Sequence, residues 1–244
     1  MHKILRKFRV IRFDPPVFVL FCILLLGTAL AIPAFAREEP EKTVCFTFDD
    51  GPSAVTEEIL EILEKENVPA TFFVIGPNGE HTDERLRAIV DAGQEIGLHS
   101  WSHDYGKIYA SADAYLEDLE TEREWIEAVT GLSPTSVRLP GGSTNVYANR
   151  EVLSAIQNVL KERGLVRYDW NADGKDSVIK GITAREIEQN VLSCAEGKNT
   201  VVVLLHDSSV RKTTPKALSL LIEDFREQGY RFCRLSELSE PVCF

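Results

Sequence analysis

The sequence predicts an α/β fold in which about seven parallel strands, each followed by a helix, close into a (β/α) barrel within a single domain. Short apolar segments alternate with helical patterns from residue 43 onward, and this alternation is typical of a parallel sheet covered by helices. The 244 residues are 44% hydrophobic and 27% charged, enough to bury one sizeable core. A closed barrel is favoured over an open sheet, although periodicity does not decide between the two.

The predicted strands are short runs rich in apolar and β-branched residues. They cover residues 43–48, 70–75, 95–98, 136–139, 165–170, 200–205 and 230–234. The predicted helices carry apolar residues on one face. They cover residues 53–66, 84–92, 112–129, 149–163, 183–194 and 215–228. Ser53 is expected to cap the first helix, and Thr183 forms a capping box with Glu186.

Residues 1–36 have the pattern of an export signal. Five basic residues precede an uncharged apolar stretch at residues 17–32, and small residues end at Ala36. The apolar stretch is short for a membrane span, so we expect cleavage after Ala36, with a signal anchor as the alternative. Residues 37–42 then form a linker and residues 43–244 the folded domain. The protein is expected to be secreted or associated with the cell envelope.

The charge balance argues against a nucleic-acid partner. The chain has 38 acidic and 27 basic residues, and cleavage after residue 36 would remove five basic residues and one acid. The net charge then changes from −11 to −15, which leaves no basic surface to release phosphate counterions.

Cysteine spacing does not indicate a zinc site, because the chain has no Cys-x-x-Cys pair. One disulfide is expected in an exported protein, most plausibly through Cys233 or Cys243. Cys45 and Cys194 are equally compatible with small buried apolar residues.

Polar residues lie at or just beyond the ends of several predicted strands. They are Asp49 with Asp50, His99, Arg138, Trp170 with Asp173 and Asp176, and His206. The carboxyl ends of parallel strands meet on one face of a barrel, where active sites are built. The sequence therefore predicts one site on that face.

Asp50, His99 and His103 have the composition of a metal site. The two histidines are four residues apart, and with one carboxylate they leave coordination positions open for water and substrate. Zinc is the default ion, although cobalt, nickel or manganese would also be accepted. Two exposed loop histidines are the structural alternative. Asp49 is placed to take a proton from a water activated by such an ion, and helix capping is the simpler role for these acids.

Arg138 precedes a loop that is nearly free of side chains, Pro140-Gly141-Gly142. Its backbone N–H groups would approach a substrate closely and stabilise an oxyanion, although Pro-Gly-Gly alone indicates an ordinary turn. We expect Arg138 to hold Asp49 through a bidentate ion pair.

His206 follows a strongly apolar run at residues 201–205. It would protonate a leaving group, with Asp173 or Asp176 orienting it and keeping it charged. A core histidine is the alternative. Trp170 would either lie in the core or form a wall for the face of a sugar ring.

Five motifs in this order resemble those of the polysaccharide deacetylase family (carbohydrate esterase family 4). They occupy residues 47–52, 99–103, 138–142, 170–176 and 205–207, and the resemblance extends over nearly all of residues 43–235. It implies a distorted (β/α) barrel and a metal-dependent hydrolase that removes N- or O-acetyl groups from sugars, so that residues 43–244 form the catalytic domain.

The resemblance also implies a role for each site residue. Asp49 is the base, Asp50, His99 and His103 are the metal ligands, and His206 is the general acid. Arg138 orients Asp49, and Asp176 orients His206, with Asp173 as its competitor for that role. The substrate-binding residues are Pro140, Gly141, Gly142, Trp170 and Leu205.

The chain departs from the family pattern at two positions. Many members have an aromatic residue where this chain has Gly141, and many have tryptophan where it has Ser177. These aromatic residues normally wall the sugar groove. Trp101, Tyr105 or Trp170 are the candidates to replace them.

The expected function is deacetylation of an acetylated glycan outside the membrane, most plausibly at N-acetylglucosamine or N-acetylmuramic acid units of peptidoglycan. The reaction is hydrolysis of a linear amide C–N bond with one divalent metal ion, most plausibly zinc. Alternatives are a chitooligosaccharide deacetylase, an acetylxylan esterase, and a glycan-binding protein without catalysis. A membrane would be contacted only through an uncleaved segment 17–32.

Overall fold

Eight parallel strands form the sheet in residues 41–244, the part of the chain that the computed structural model describes. Their bounds are β1 Thr43–Gly51, β2 Ala70–Ile75, β3 Glu95–Ser100, β4 Ser136–Val137, β5 Val166–Arg167, β6 Ala172–Asp173, β7 Thr200–His206 and β8 Arg231–Phe232. Seven of them follow the order β5-β4-β3-β2-β1-β7-β6, and β8 pairs with the start of β1. The predicted α/β barrel of about seven parallel strands is confirmed as a curled half-barrel, because no β5–β6 pairing closes the sheet within the described residues.

Seven helices connect these strands. Their bounds are α1 Thr56–Glu66, α2 Thr82–Asp91, α3 Tyr105–Ile108, α4 Ala112–Thr130, α5 Arg150–Glu162, α6 Ala184–Ala195 and α7 Thr214–Glu227. The longer helices each bury one face; α1, for example, buries Ile59, Leu60 and Leu63. This is the pattern of helices that cover a parallel sheet.

The chain between β5 and β6 crosses from one edge of the sheet to the other. Tyr168 N still donates to Val137 O on β4, whereas Asn171 N donates to Val202 O on β7. The Asn171 side chain reinforces the second pairing, because its Oδ1 accepts from Val202 N. The predicted strand over residues 165–170 is therefore too long: only β5, Val166–Arg167, forms within it, and β6 follows outside its bounds. The strand is cut short because the segment changes its pairing partner, and the alternation of apolar residues along the chain contains no information on that change.

The centre of the sheet is apolar and closed to solvent. In β7, residues 201–205 are all buried, as expected for a strand covered on both faces. A disulfide joins Cys45 on β1 to Cys233 after β8, while Cys194 and Cys243 are free. Cys233 is thus one partner of the expected disulfide.

The start of α1 differs from the prediction. The helix begins at Thr56 with Val55 at the N-cap position, so Ser53 is not its cap. Ser53 Oγ instead accepts from Val55 N and donates to Asp207. The capping box of Thr183 and Glu186 is confirmed.

The predicted export segment, residues 1–36 with the apolar stretch 17–32, lies outside the described residues, as do residues 37–40 of the linker. Within residues 41–244, no helix has the length and apolar character needed to span a membrane.

Candidate active site

A β-bulge at the end of β1 brings two consecutive carboxylates to one pocket. Side chains on a regular strand alternate between faces, so Asp49 and Asp50 would point apart. The pairing of β1 with β2 shifts register between Asp49 and Gly51, and Asp50 takes a left-handed backbone conformation with φ 72°. The extra residue breaks the alternation, and aspartate is among the residues that tolerate positive φ.

Asp50, His99 and His103 converge on one point. Asp50 Oδ1 lies 3.2 Å from His103 Nε2 and 3.6 Å from His99 Nε2, and the three potential ligand atoms all lie within 4.8 Å of one another. Ligands about 2.0–2.1 Å from a tetrahedral ion are roughly 3.3 Å apart. The separations therefore fit a small divalent ion, and two imidazoles with one carboxylate suit zinc, cobalt or nickel.

A backbone hydrogen bond on the side of the ring away from Asp50 sets the tautomer of His99. His99 Nδ1 lies 2.7 Å from the backbone oxygen of Arg138. A carbonyl oxygen can only accept, so Nδ1 carries the proton and Nε2 presents its lone pair to the site. This arrangement is typical of metal-ligating histidines.

The three candidate ligands differ in the direction of their pKa shifts. Burial opposes ionisation of Asp50, but the neighbouring histidines outweigh it and hold its pKa well below the usual range. Burial also opposes protonation of His99, yet the carboxylates of Asp49 and Asp50 raise its pKa. Burial, with the charge of His99, lowers the pKa of His103. The carboxylates thus favour a positive charge at this point, which a divalent cation would supply.

Two acids of α4 support the ligand segment and were not found from the sequence. Asp118 is buried and accepts from Ser100 Oγ at 2.6 Å and Trp101 N at 2.8 Å. Glu122, also buried, accepts from His99 N at 2.9 Å, and burial raises its pKa well above the ordinary value. The sequence does contain an indication of these two acids. Both occupy positions on the apolar face of a predicted helix, where a buried charged residue needs a hydrogen-bond partner.

Arg138 holds Asp49 from inside the barrel. It has no exposed surface, and its Nη1 donates to Asp49 Oδ1 at 2.8 Å and Thr47 Oγ1 at 2.6 Å. Its other nitrogens donate to the backbone oxygens of Tyr168 and Asp169. The pair with Asp49 therefore uses one nitrogen, and the expected bidentate pair does not form because the rest of the guanidinium fork is bonded to the crossing segment.

His206 is bonded to Asp176. Its Nδ1 lies 2.8 Å from Asp176 Oδ1, and its backbone N donates to Asp176 Oδ2 at 2.9 Å. Burial opposes protonation, but the Asp176 carboxylate raises the pKa of His206 to about 9. The structure does not bring Asp173 to His206; Asp173 instead pairs with Lys175.

The two proton-transfer candidates lie on adjacent strands. Asp49 on β1 is the register partner of His206 on β7, and Asp207 N donates to Asp49 O at 2.7 Å. A carboxylate held by arginine thus lies beside an imidazole held by a second carboxylate. This is the arrangement expected of a proton acceptor beside a proton donor.

The loop after β4 lines the site with backbone. Gly141 and Gly142 have φ of 76° and 85°, and Pro140 O accepts from Tyr109 at 2.7 Å. Gly142 N is used in a bond to Leu139 O. Within residues 41–244 the Gly141 N–H makes no hydrogen bond, so it is a free donor on an exposed residue.

The remaining residues predicted to contact the substrate differ in how deeply they are buried. Leu205 is fully buried in the core. Trp101 packs edge-on against Trp125, with ring centroids 5.8 Å apart. Tyr105 lies 5.4 Å from the ring of His103, and Trp170 is half-buried beside Arg138. Of the three aromatic candidates, Tyr105 and Trp170 are therefore in contact with site residues.

Comparison with known proteins gives one consistent family. The sequence model of polysaccharide deacetylases matches residues 36–159. YheN of Bacillus subtilis is 32% identical over 207 residues, which cover 83% of this chain and 70% of YheN. The peptidoglycan-N-acetylglucosamine deacetylase PgdA of Listeria monocytogenes is 29% identical over 216 residues, which cover 87% of this chain but 42% of PgdA.

A solved structure extends the likeness to the fold. The catalytic domain of peptidoglycan N-acetylglucosamine deacetylase from Eubacterium rectale superposes with a TM-score of 0.79 at 33% identity. The match covers 83% of this chain and 92% of that domain. The chain therefore belongs to the polysaccharide deacetylase family and is a carbohydrate deacetylase.

Proposed function

We propose that this chain is a secreted, metal-dependent enzyme that removes N-acetyl groups from amino sugars of peptidoglycan. The observation that carries the proposal is the convergence of Asp50, His99 and His103 between two polar pairs, Asp49 with Arg138 and His206 with Asp176. Two relatives whose names specify peptidoglycan N-acetylglucosamine support the substrate class. The choice between N-acetylglucosamine and N-acetylmuramic acid is left to experiment.

Asp50, His99 and His103 would hold the divalent ion, with zinc the first choice. Such an ion lowers the pKa of water and polarises a carbonyl group. In this arrangement Asp49 takes the proton of the attacking water, and Arg138 holds the Asp49 carboxylate in place at the site.

The other residues act on the acetyl group and the departing nitrogen. The free N–H of Gly141 donates to the developing oxyanion. His206, held protonated by Asp176, gives its proton to the amine as the C–N bond breaks. Asp49 and His206 thus perform the two proton transfers of amide hydrolysis from neighbouring strands.

The test is acetate release by residues 37–244 from peptidoglycan and from chitin oligomers, with zinc added or removed by a chelator. We expect release that depends on metal and is lost in Asp49→Asn. The control is Asp113→Asn, an exposed acid in the first turn of α4, which should retain the wild-type rate.

The outcomes separate the alternatives. Release from peptidoglycan alone supports the proposed substrate, whereas preference for chitin oligomers or acetylated xylan replaces it with another acetylated glycan. Bound metal and bound glycan without acetate release, under all these conditions, would contradict the proposal and favour a glycan-binding protein.

A further inference from the structure

The side chain of Phe244 lies on the site face, against Trp170. The two rings meet edge to face with centroids 5.0 Å apart, and 55% of Phe244 remains exposed. Trp170 in turn lies over the Arg138 guanidinium, 5.7 Å from its centre. An exposed phenyl ring is thus connected through one indole to the arginine that holds Asp49.

Gly142 makes this position possible. A Cβ at residue 142 would lie 2.9 Å from the Trp170 ring and 3.2 Å from Phe244 Cε2. Both distances are too short for an ordinary carbon contact. The rings therefore close over the glycine, and their outer surface continues from the loop that carries the free Gly141 N–H.

A buried carboxylate fixes the segment that carries Phe244. Asp169 has no exposed surface, and its Oδ2 accepts from Phe244 N at 3.0 Å and from Ser143 Oγ at 2.6 Å. Its Oδ1 accepts from Ser143 N at 2.8 Å, and its own N donates to Val242 O at 2.8 Å. Asp169 thus ties residues 242–244 to the site loop through its carboxylate and its backbone N–H, so little conformational entropy would be lost when a ligand contacts Phe244.

A second aromatic pair lies on the other side of the loop. Tyr147 is 65% exposed, and its ring centroid is 4.3 Å from that of Tyr105. A Cβ at Gly141 would lie 3.2 Å from Tyr105 Cε1. Exposed rings therefore flank both glycines of the loop, although neither the glycine loop nor residue 177 carries an aromatic side chain.

We propose that Phe244, supported by Trp170, forms a stacking surface for the sugar ring next to the one being deacetylated. The proposal rests on the proposed function. A pyranose ring presents C–H groups on its faces and hydroxyl groups at its rim, which suits an aromatic wall that is apolar on its face and open to water at its edge. The occupant is thus one residue of a β-linked N-acetylhexosamine chain, and Phe244 selects oligomers over monomeric acetyl substrates.

The test compares two substrates in full-length, metal-loaded protein. A chitin tetramer can reach Phe244, whereas a small aryl acetate needs the reacting centre alone. In Phe244→Ala we expect the ratio of kcat/KM for the tetramer to kcat/KM for the aryl acetate to fall about 3- to 10-fold, mainly through KM for the tetramer. Phe244→Tyr should restore the ratio. The control Leu132→Ala removes another exposed side chain, 43% exposed in the segment before β4, and should leave the ratio at its wild-type value.

Binding provides a readout that does not need turnover. In an Asp49→Asn background, Phe244→Ala should weaken tetramer binding by the same factor, measured by calorimetry. Tetramer binding that depends on Phe244, without acetate release by the wild type, would refute the proposed function and keep the stacking surface. Acetate release with an unchanged ratio in Phe244→Ala, or an equal loss on both substrates, would overturn the stacking surface and leave the function standing.

Discussion

Replacing Asp176 by asparagine should lower the pKa of His206 and move the alkaline limb of the pH–rate profile. Asparagine keeps one oxygen for the His206 Nδ1–H and removes the negative charge. Its amide NH2 then replaces the oxygen that accepts from His206 N and Thr214 Oγ1. The Asp176 carboxylate is the main group that raises the pKa of His206 to about 9 from its ordinary 6.5. A difference of about 2.5 units corresponds to about 3 kcal/mol of preference for the charged form.

The direction of the pH dependence follows from the charged and neutral states of His206. Because the folded-state pKa is raised, the pair stabilises the folded protein fully below about pH 6.5, and this contribution is lost as pH rises through about 9. As the proposed proton donor, His206 must be charged, so we expect kcat/KM to fall above the same pKa. A bound divalent cation repels the imidazolium and places the measured limb at or below about 9 in both proteins.

Two assays check this prediction. Histidine C–H resonances of the metal-free protein, followed by NMR from pH 5 to 10, should show the His206 midpoint moving down by roughly 2 units in Asp176→Asn. The kcat/KM profile of the loaded enzyme should shift in the same direction. Asp173→Asn is the matched control, because Asp173 is bonded to Lys175 instead. A midpoint that stays within half a unit in Asp176→Asn, or one that moves equally in Asp173→Asn, would refute the reasoning.

Three further changes have defined outcomes. Asp118→Asn should weaken zinc binding roughly 10- to 100-fold, because the carboxylate orients the ligand segment; competition with a chromophoric chelator measures it, and wild-type affinity would contradict this role. Arg138→Lys should lower kcat roughly 100-fold through misplacement of Asp49, measured as acetate release by protein whose circular dichroism is native; a wild-type kcat would show that one ammonium suffices. Reduction of the Cys45–Cys233 disulfide should lower the free energy of unfolding by roughly 2–5 kcal/mol, and equal urea midpoints with and without reductant would exclude a stabilising bond.

The sequence was sufficient for the parallel sheet and for which residues meet, because both depend on local signals. Alternation of apolar strands with amphipathic helices determines the layer order, and strand ends determine which face receives the polar residues. Asp50, His99 and His103 could be grouped from their chemistry alone. The turn that brings Asp50 into the pocket could not be predicted from the sequence, because the left-handed bulge depends on how β1 pairs with β2.

Most of the differences from the expectations come from the local backbone path and from tertiary contacts. Ser53 does not cap α1 because the helix begins only at Thr56, and its Oγ accepts from Val55 N and donates to Asp207, far away in the sequence. Arg138 makes a single bond to Asp49 because carbonyl groups of the crossing segment take its other nitrogens. Asp173 differs, because its partner is local: it is bonded to Lys175, two residues along the chain, whereas Asp176 reaches His206, 30 residues away.

The placement of Asp49 and His206 on neighbouring strands separates the spacing of this pair from the aromatic surface around the site, so that evolution can change one without the other. Their backbone spacing is that of a hydrogen-bonded ladder, about 4.8 Å, and it is held by the most buried part of the molecule. The rings of Tyr147 and Phe244 come from segments outside the sheet. Exchanging residues 144–147 or 242–244 between relatives would therefore change the exposed aromatic surface while Asp49 and His206, the proposed proton-transfer pair, stay in register.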